Sequence, residues 1–146
     1  MTGISLRREI VEILGRSNVF NVLNDDELFP ISAYMKFEEY NEGDYVFSEN
    51  EKGQYLFIVV EGEFIIEYKD VVFLTLGEGE VFGGVALINN NIRVGSVKAT
   101  MPSKVLKIKG KHLLDEYKLD PHTVLKIYKE IAKIATSYIV KLKKSL

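Results

Sequence analysis

A mainly β fold with flanking helices is what this sequence predicts, and three observations predict it. Between residues 37 and 109 lie about eight short runs rich in aromatic and β-branched residues, divided by Gly, Asn and Asp turns. Helical periodicity fills residues 5–36 ahead of them and 121–146 behind them. No repeat of roughly 20–50 residues and no Ser/Pro-rich linker divides the 146-residue chain. Together these suit a small β-barrel or a double-sheet jelly roll in a single domain. Its parts are an N-terminal helical segment over 1–36 packed on the barrel, the barrel over 37–109, and a C-terminal helical segment over 110–146. A chain this long buries roughly two-thirds of its unfolded surface, enough for a core without staples.

In the first segment Ile10, Ile13 and Leu14 share a helical face beside Arg7, Arg8, Glu9 and Glu12, until Gly15 and Asn18 break the pattern. Asn24-Asp25-Asp26-Glu27 sets a capping oxygen three residues ahead of a glutamate, which starts a second helix. The two aspartates suit the positive end of its dipole. Pro30 lies too deep for an undisturbed helix, so a short helix or a kink near Phe29 is expected. Residues 55–60, Tyr-Leu-Phe-Ile-Val-Val, have buried-strand length and composition, and Glu61-Gly62 turns them into an antiparallel return over 63–68. Lys69-Asp70 is the next turn and 71–76 the next strand. Shorter strands are expected at 37–40, 45–47, 81–82, 95–99 and 104–109.

Asp120-Pro121 fits an N-cap followed by proline at the first helical position, where its missing N–H costs nothing. Val124, Tyr128, Ile131, Ala135, Tyr138 and Leu142 then recur at alternating spacings of four and three, a heptad seam. Leu125, Ile127, Ala132, Ile134 and Ile139 widen the apolar side, and Lys126, Lys129, Lys133, Ser137 and Lys141 gather opposite. A stripe this wide exceeds one packing surface. One edge is expected on the barrel and the seam against a second copy, giving a homodimer. The alternative packs both edges within one molecule.

Composition removes several function classes. Zero cysteines exclude a disulfide framework, thiolate metal sites and a cysteine nucleophile. Two histidines, His112 and His122, exclude a three-histidine site; neither falls in a strand, which removes a barrel-type metal enzyme, and both are expected at the surface. No Ser-His-acid set is apparent, and no enzyme is expected. The start, MTGISLRREIVEIL, lacks a signal-peptide apolar core, and no apolar run is long enough to span a bilayer, so a cytoplasmic location is the expectation. The net charge of −2 argues against a dedicated nucleic-acid binder but hides a division. Residues 1–103 carry 8 basic and 17 acidic side chains, residues 104–146 carry 11 and 4. The basic excess reads as a solvated face or a surface for an acidic protein partner.

The residues that could carry chemistry converge between Gly77 and Ala99. A glycine-rich turn, Gly77-Glu78-Gly79-Glu80-Val81-Phe82-Gly83-Gly84, runs into the short apolar stretch Val85-Ala86-Leu87, then Asn89-Asn90-Asn91 and Arg93. Free backbone N–H groups at such a turn make an anion cradle, and Arg93 adds a permanently charged forked donor suited to phosphate. A purely structural reading instead pairs Arg93 with a local carboxylate such as Glu78 or Glu80.

At these residues the sequence resembles the cyclic nucleotide-binding domain family, which includes catabolite-activator-type regulators and regulatory subunits of cyclic-AMP-dependent kinase. The resemblance runs from about Phe20 onward through Tyr40, Gly43, Phe47, Gly53, the strand and turn at 57–62, Gly77 and Gly79, Phe82-Gly83, Ala86-Leu87, Arg93, Ala99 and the terminal helix. The resemblance implies an eight-stranded antiparallel jelly-roll β-barrel (a double-stranded β-helix) in which 83–93 is a phosphate-binding cassette. Arg93 would pair with the cyclic phosphate, backbone groups of Gly83, Gly84, Val85 and Ala86 would assist, and Val94, often a small or hydroxyl residue in the family, would line the site without donating. The family's ribose-binding glutamate position is Gly84 here, so one charge-assisted contact worth about 1.5–3 kcal/mol is lost. The expected function is a non-enzymatic sensor that binds cyclic AMP, cyclic GMP or another small anion, uses no cofactor or metal, and signals through terminal-helix packing. The alternative is a ligand-free homodimerising scaffold. No helix-turn-helix follows the terminal helix, so output through protein contacts is expected.

Overall fold

A computed structural model describes residues 3–114 and 119–145; Met1, Thr2, residues 115–118 of the C-terminal segment and Leu146 lie outside the described residues. Helix α1 (Gly3–Gly15) buries Ile10 and Leu14, the face expected from its period. Helix α2 (Asp25–Ser32) opens with a complete capping box: the Glu27 N–H donates to Asn24 Oδ1 at 2.9 Å, and the Asn24 N–H donates to Glu27 Oε1 at 3.2 Å. Pro30 is accommodated because α2 ends at Ser32, so few ladder bonds remain to be lost.

Eight strands follow: β1 (Lys36–Tyr40), β2 (Tyr45–Phe47), β3 (Tyr55–Glu61), β4 (Phe64–Tyr68), β5 (Val71–Leu76), β6 (Val81–Phe82), β7 (Ser96–Ala99) and β8 (Ser103–Lys109). They form two four-stranded antiparallel sheets, ordered β1-β8-β3-β6 and β2-β7-β4-β5. The jelly-roll architecture is as expected, but among the described residues no ladder joins the sheets, so they are two facing layers and not a closed barrel. The sheet containing β3 has the helices on its other face. Leu56 and Ile58 join Ile10, Leu14 and Ile31 in one core; Phe57 and Val59 join Phe64, Phe82 and Val97 in the other. Burial on both faces is why residues 55–60 read as a continuous apolar run instead of alternating.

A four-residue helix, α3 (Gly84–Leu87), interrupts the strands between β6 and β7, and α4 (Pro121–Ser145) closes the fold. The His122 N–H donates to Asp120 Oδ1 at 2.8 Å, which makes Asp120 the cap expected ahead of Pro121. The packing of α4 corrects the proposed dimer seam. Ile131 is buried with Ile127, Val124 packs on the helix-side core, Tyr138 packs on the inter-sheet core, and Ala135 and Leu142 are half-buried. Of the six seam residues only Tyr128 counts as exposed. The seam follows the face that the sheet and α3 require of this helix, and the exposed apolar row lies beside it. His112 is also not a plain surface residue: it is half-buried and stacks on Tyr34 with ring centroids 4.0 Å apart.

Candidate functional site

Backbone conformation builds the site first. Gly83 adopts φ +83°, and a Cβ there would lie 3.0 Å from both Arg93 Nη1 and the Tyr55 carbonyl oxygen. No side chain caps the start of α3 at Gly83, so its first N–H groups have no side-chain acceptor. Asn90 and Asn91, both left-handed with φ 53° and 61°, reverse the chain after α3. The Asn91 N–H donates to the Ala86 carbonyl at 2.8 Å, tying the turn to the helix. The returning strand is stitched to the loop between β2 and β3. Arg93 N–H donates to Glu51 O at 2.8 Å, Asn50 N–H to Arg93 O at 2.8 Å, and Gly53 N–H to Asn91 O at 2.7 Å.

This stitching sends the Arg93 side chain inward, where it is only 3% exposed. Nη1 donates to the Gly83 carbonyl at 2.8 Å and Nη2 to the Tyr55 carbonyl at 2.9 Å. The guanidinium lies over the Phe47 ring, 3.9 Å from its centroid. Nε is buried with no hydrogen-bond partner. Burial pulls the Arg93 pKa down to about 10, with the Glu51 charge opposing, so the group is a cation at neutral pH. Among the described residues no ion pair involves Arg93, so the alternative that pairs it with Glu78 or Glu80 does not hold. Glu80 instead accepts from the Gly77 N–H at 3.1 Å, and Glu78 lies beside α1. A neighbouring turn therefore holds Glu80, and neither carboxylate reaches the guanidinium.

The other expected residues are brought together around Arg93. Gly83, Val85, Ala86, Arg93 and Val94 line one cavity of about 30 Å³ together with Phe73 and Tyr138. That is room for about two waters. Tyr138 from α4 meets Phe73 edge-on at 5.8 Å, and its hydroxyl is buried without a partner, which raises its pKa well above the ordinary tyrosine range. Gly84 lies apart from this cavity. A Cβ on it would meet Ile131 Cγ1 of α4 at 3.2 Å and Leu56 Cδ1 at 3.3 Å. The absent side chain is thus a seat for α4, which no local sequence signal reveals. Arg93 also lines a wider cleft of about 360 Å³ with Phe47, Tyr55, Lys107 and Glu38, the last two paired with each other. Burial alone would raise the Glu38 pKa, but hydrogen bonds from Lys107 and Tyr40 outweigh it and lower it. Phe47 and Gly53 carried no assigned role in the sequence; here one is the aromatic floor under the guanidinium and the other the gap it passes.

A family model described as the cyclic nucleotide-binding domain matches residues 37–120. The chain belongs to the cyclic nucleotide-binding domain family. Within this family it is 38% identical over 97 residues to a cGMP-dependent protein kinase of Plasmodium berghei (strain Anka), an alignment covering 64% of this chain and 11% of that protein. It is 34% identical over 85 residues to a cAMP-dependent protein kinase regulatory subunit of Mycosarcoma maydis, covering 56% of this chain and 16% of that one. The structure described as cAMP-bound PfPKA-R superposes with a TM-score of 0.85 at 22% identity, over 97% of this chain and 48% of that chain, which establishes the shared fold. This cyclic nucleotide-binding domain spans only 11% and 16% of those two kinase relatives. Its likeness is to their regulatory domains and not to a catalytic domain.

Proposed function

We propose that this domain is a non-enzymatic cytoplasmic sensor whose cassette, Gly83, Gly84, Val85, Ala86, Arg93 and Val94, binds the phosphate of a cyclic nucleotide or a similar small anion. The observation that carries the reading is the Arg93 guanidinium: buried, charged, held by two neutral carbonyls, and with Nε unpaired. A buried cation without an anion is costly, and a phosphate would supply the missing charge and acceptors. The cavity beside it is far smaller than the roughly 300–1,000 Å³ of ordinary ligand sites. A nucleotide-sized ligand seated in this cavity would displace Val94 or the Tyr138 end of α4, which couples occupancy to α4. The 1–36 and 110–146 segments serve as the fixed and movable supports of the 37–109 β-sandwich.

Isothermal titration with cyclic AMP, cyclic GMP and inorganic phosphate tests the proposal. Binding by wild type, weakened roughly a hundredfold or more in Arg93→Ala and partly kept in Arg93→Lys, is the expected result. No heat and no thermal shift with any of the three, in a folded protein, would overturn it. The scaffold reading then takes its place, favoured by the small cavity and by Ile131 seated on Gly84. Its homodimer is tested by light scattering at micromolar concentration.

A further inference from the structure

The outer face of α4 is amphipathic and uncovered, and its charge decides what can cover it. Leu125, Tyr128, Ala132 and Ile139 lie along one line of the helix, with Val140 beside it; Leu125 is 65% and Ile139 62% exposed. This line is distinct from the Ile127–Ile131 line that α4 buries against its own domain. Leu125 to Ile139 spans about 21 Å, three to four turns, the length over which one helix reads another.

The charge on α4 is one-sided. The helix carries six lysines against a single carboxylate, Glu130, which is buried and paired with Lys133 at 3.1 Å. Lys126 is already held by Glu27 of α2 at 3.2 Å. Lys129 and Lys143, exposed along the apolar line, have no ion pair among the described residues. Two copies meeting through this face would set lysines against lysines with no carboxylate between them, which is unfavourable. A helix with apolar residues at the same spacing and glutamate or aspartate on its flanks satisfies both the apolar line and the lysines. We infer that the outer face of α4 docks an acidic amphipathic helix of a partner protein. None of the residues involved lines the cavity beside Arg93, so the inference stands whether or not the cassette binds a ligand.

The test uses fluorescence anisotropy with two synthetic helical peptides of identical leucine spacing, one flanked by glutamates and one by lysines. The glutamate peptide binds, more weakly as salt is raised, and the lysine peptide binds at least roughly tenfold less tightly. Leu125→Ser/Ile139→Ser and Lys129→Glu/Lys143→Glu each weaken the glutamate peptide roughly tenfold, while Lys36→Glu on β1 leaves it unchanged. All these positions are exposed, and circular dichroism verifies that the variants fold. Equal binding of the two peptides, or equal binding by all variants, overturns the inference. So does a dimer mass in light scattering that Leu125→Ser/Ile139→Ser reduces to a monomer, because the occupant is then a second copy.

Discussion

Arg93 is the residue on which the site turns, and two glycines, Gly53 and Gly83, determine where it can go. A methyl on Gly53 would overlap the guanidinium. Gly53→Ala is therefore expected to lower stability by roughly 1–3 kcal/mol in urea denaturation. Gly77→Ala, where nothing lies within 4 Å of the added carbon, stays within about 0.5 kcal/mol of wild type. Gly84 gives the opposite lesson to the one its sequence position suggests. Putting the family's glutamate back, Gly84→Glu, drives a side chain into Ile131 and Leu56, so a lower Tm and no gain in nucleotide affinity are expected. Pairing it with Ile131→Ala makes room for the carboxylate, so a partial gain in nucleotide affinity is expected while the Tm stays low. Arg93 itself was legible because it closes an ordered set of residues that resembles the family's cassette, where glycine spacing alone is a weak signal. Its partners were not: Tyr55 O and Gly83 O are backbone atoms, and any residue type supplies those.

Among elements, the junction of α2 and α4 is set by one carboxylate serving two helices. Glu27 completes the cap of α2, and its other oxygen accepts from Thr123 Oγ1 at 2.7 Å, while Lys126 Nζ lies 3.2 Å away. The Thr123 hydrogen bond first, then the Asn24 backbone, holds its pKa below the ordinary 4.5. A depressed carboxylate stabilises the fold fully above that ordinary value, and the contribution is lost as pH falls through the lower folded value. Glu27→Gln is thus expected to cost about 1 kcal/mol at pH 7. The gap in Tm between wild type and variant should close as pH is taken below 4.5, read by thermal melts across an acid series. The capping box was visible in four consecutive residues. The Thr123 contact, ninety-six positions away in sequence, was not. The heptad seam of α4 was likewise seen, but which of its faces turns inward depends on the sheet and α3 beneath it.

The whole molecule is three layers on two cores, and α4 reaches both of them, Ile127 and Ile131 in the helix-side core and Tyr138 against the inter-sheet one. Ile127 and Ile131 share one apolar cluster with α1, α2 and the outer face of the β3 sheet. Ile131→Ala is expected to cost about 2–5 kcal/mol and to appear as a lower midpoint of one cooperative transition, followed by tyrosine fluorescence since the chain has no tryptophan. Two separate transitions would show instead that the sandwich folds without α4. Strand number and order along the chain, the jelly-roll class and both helix caps were legible in the sequence alone. Each rests on period, turn chemistry or a motif, which are properties of neighbours a few residues apart. Only the tertiary structure decided that the barrel is two open sheets, that Arg93 is buried on carbonyls and unpaired, that Gly84 seats a helix, and that the dimer seam faces inward. Those outcomes depend on which distant surfaces meet, and a one-dimensional pattern of apolar and polar residues fixes that something is buried without fixing what it is buried against.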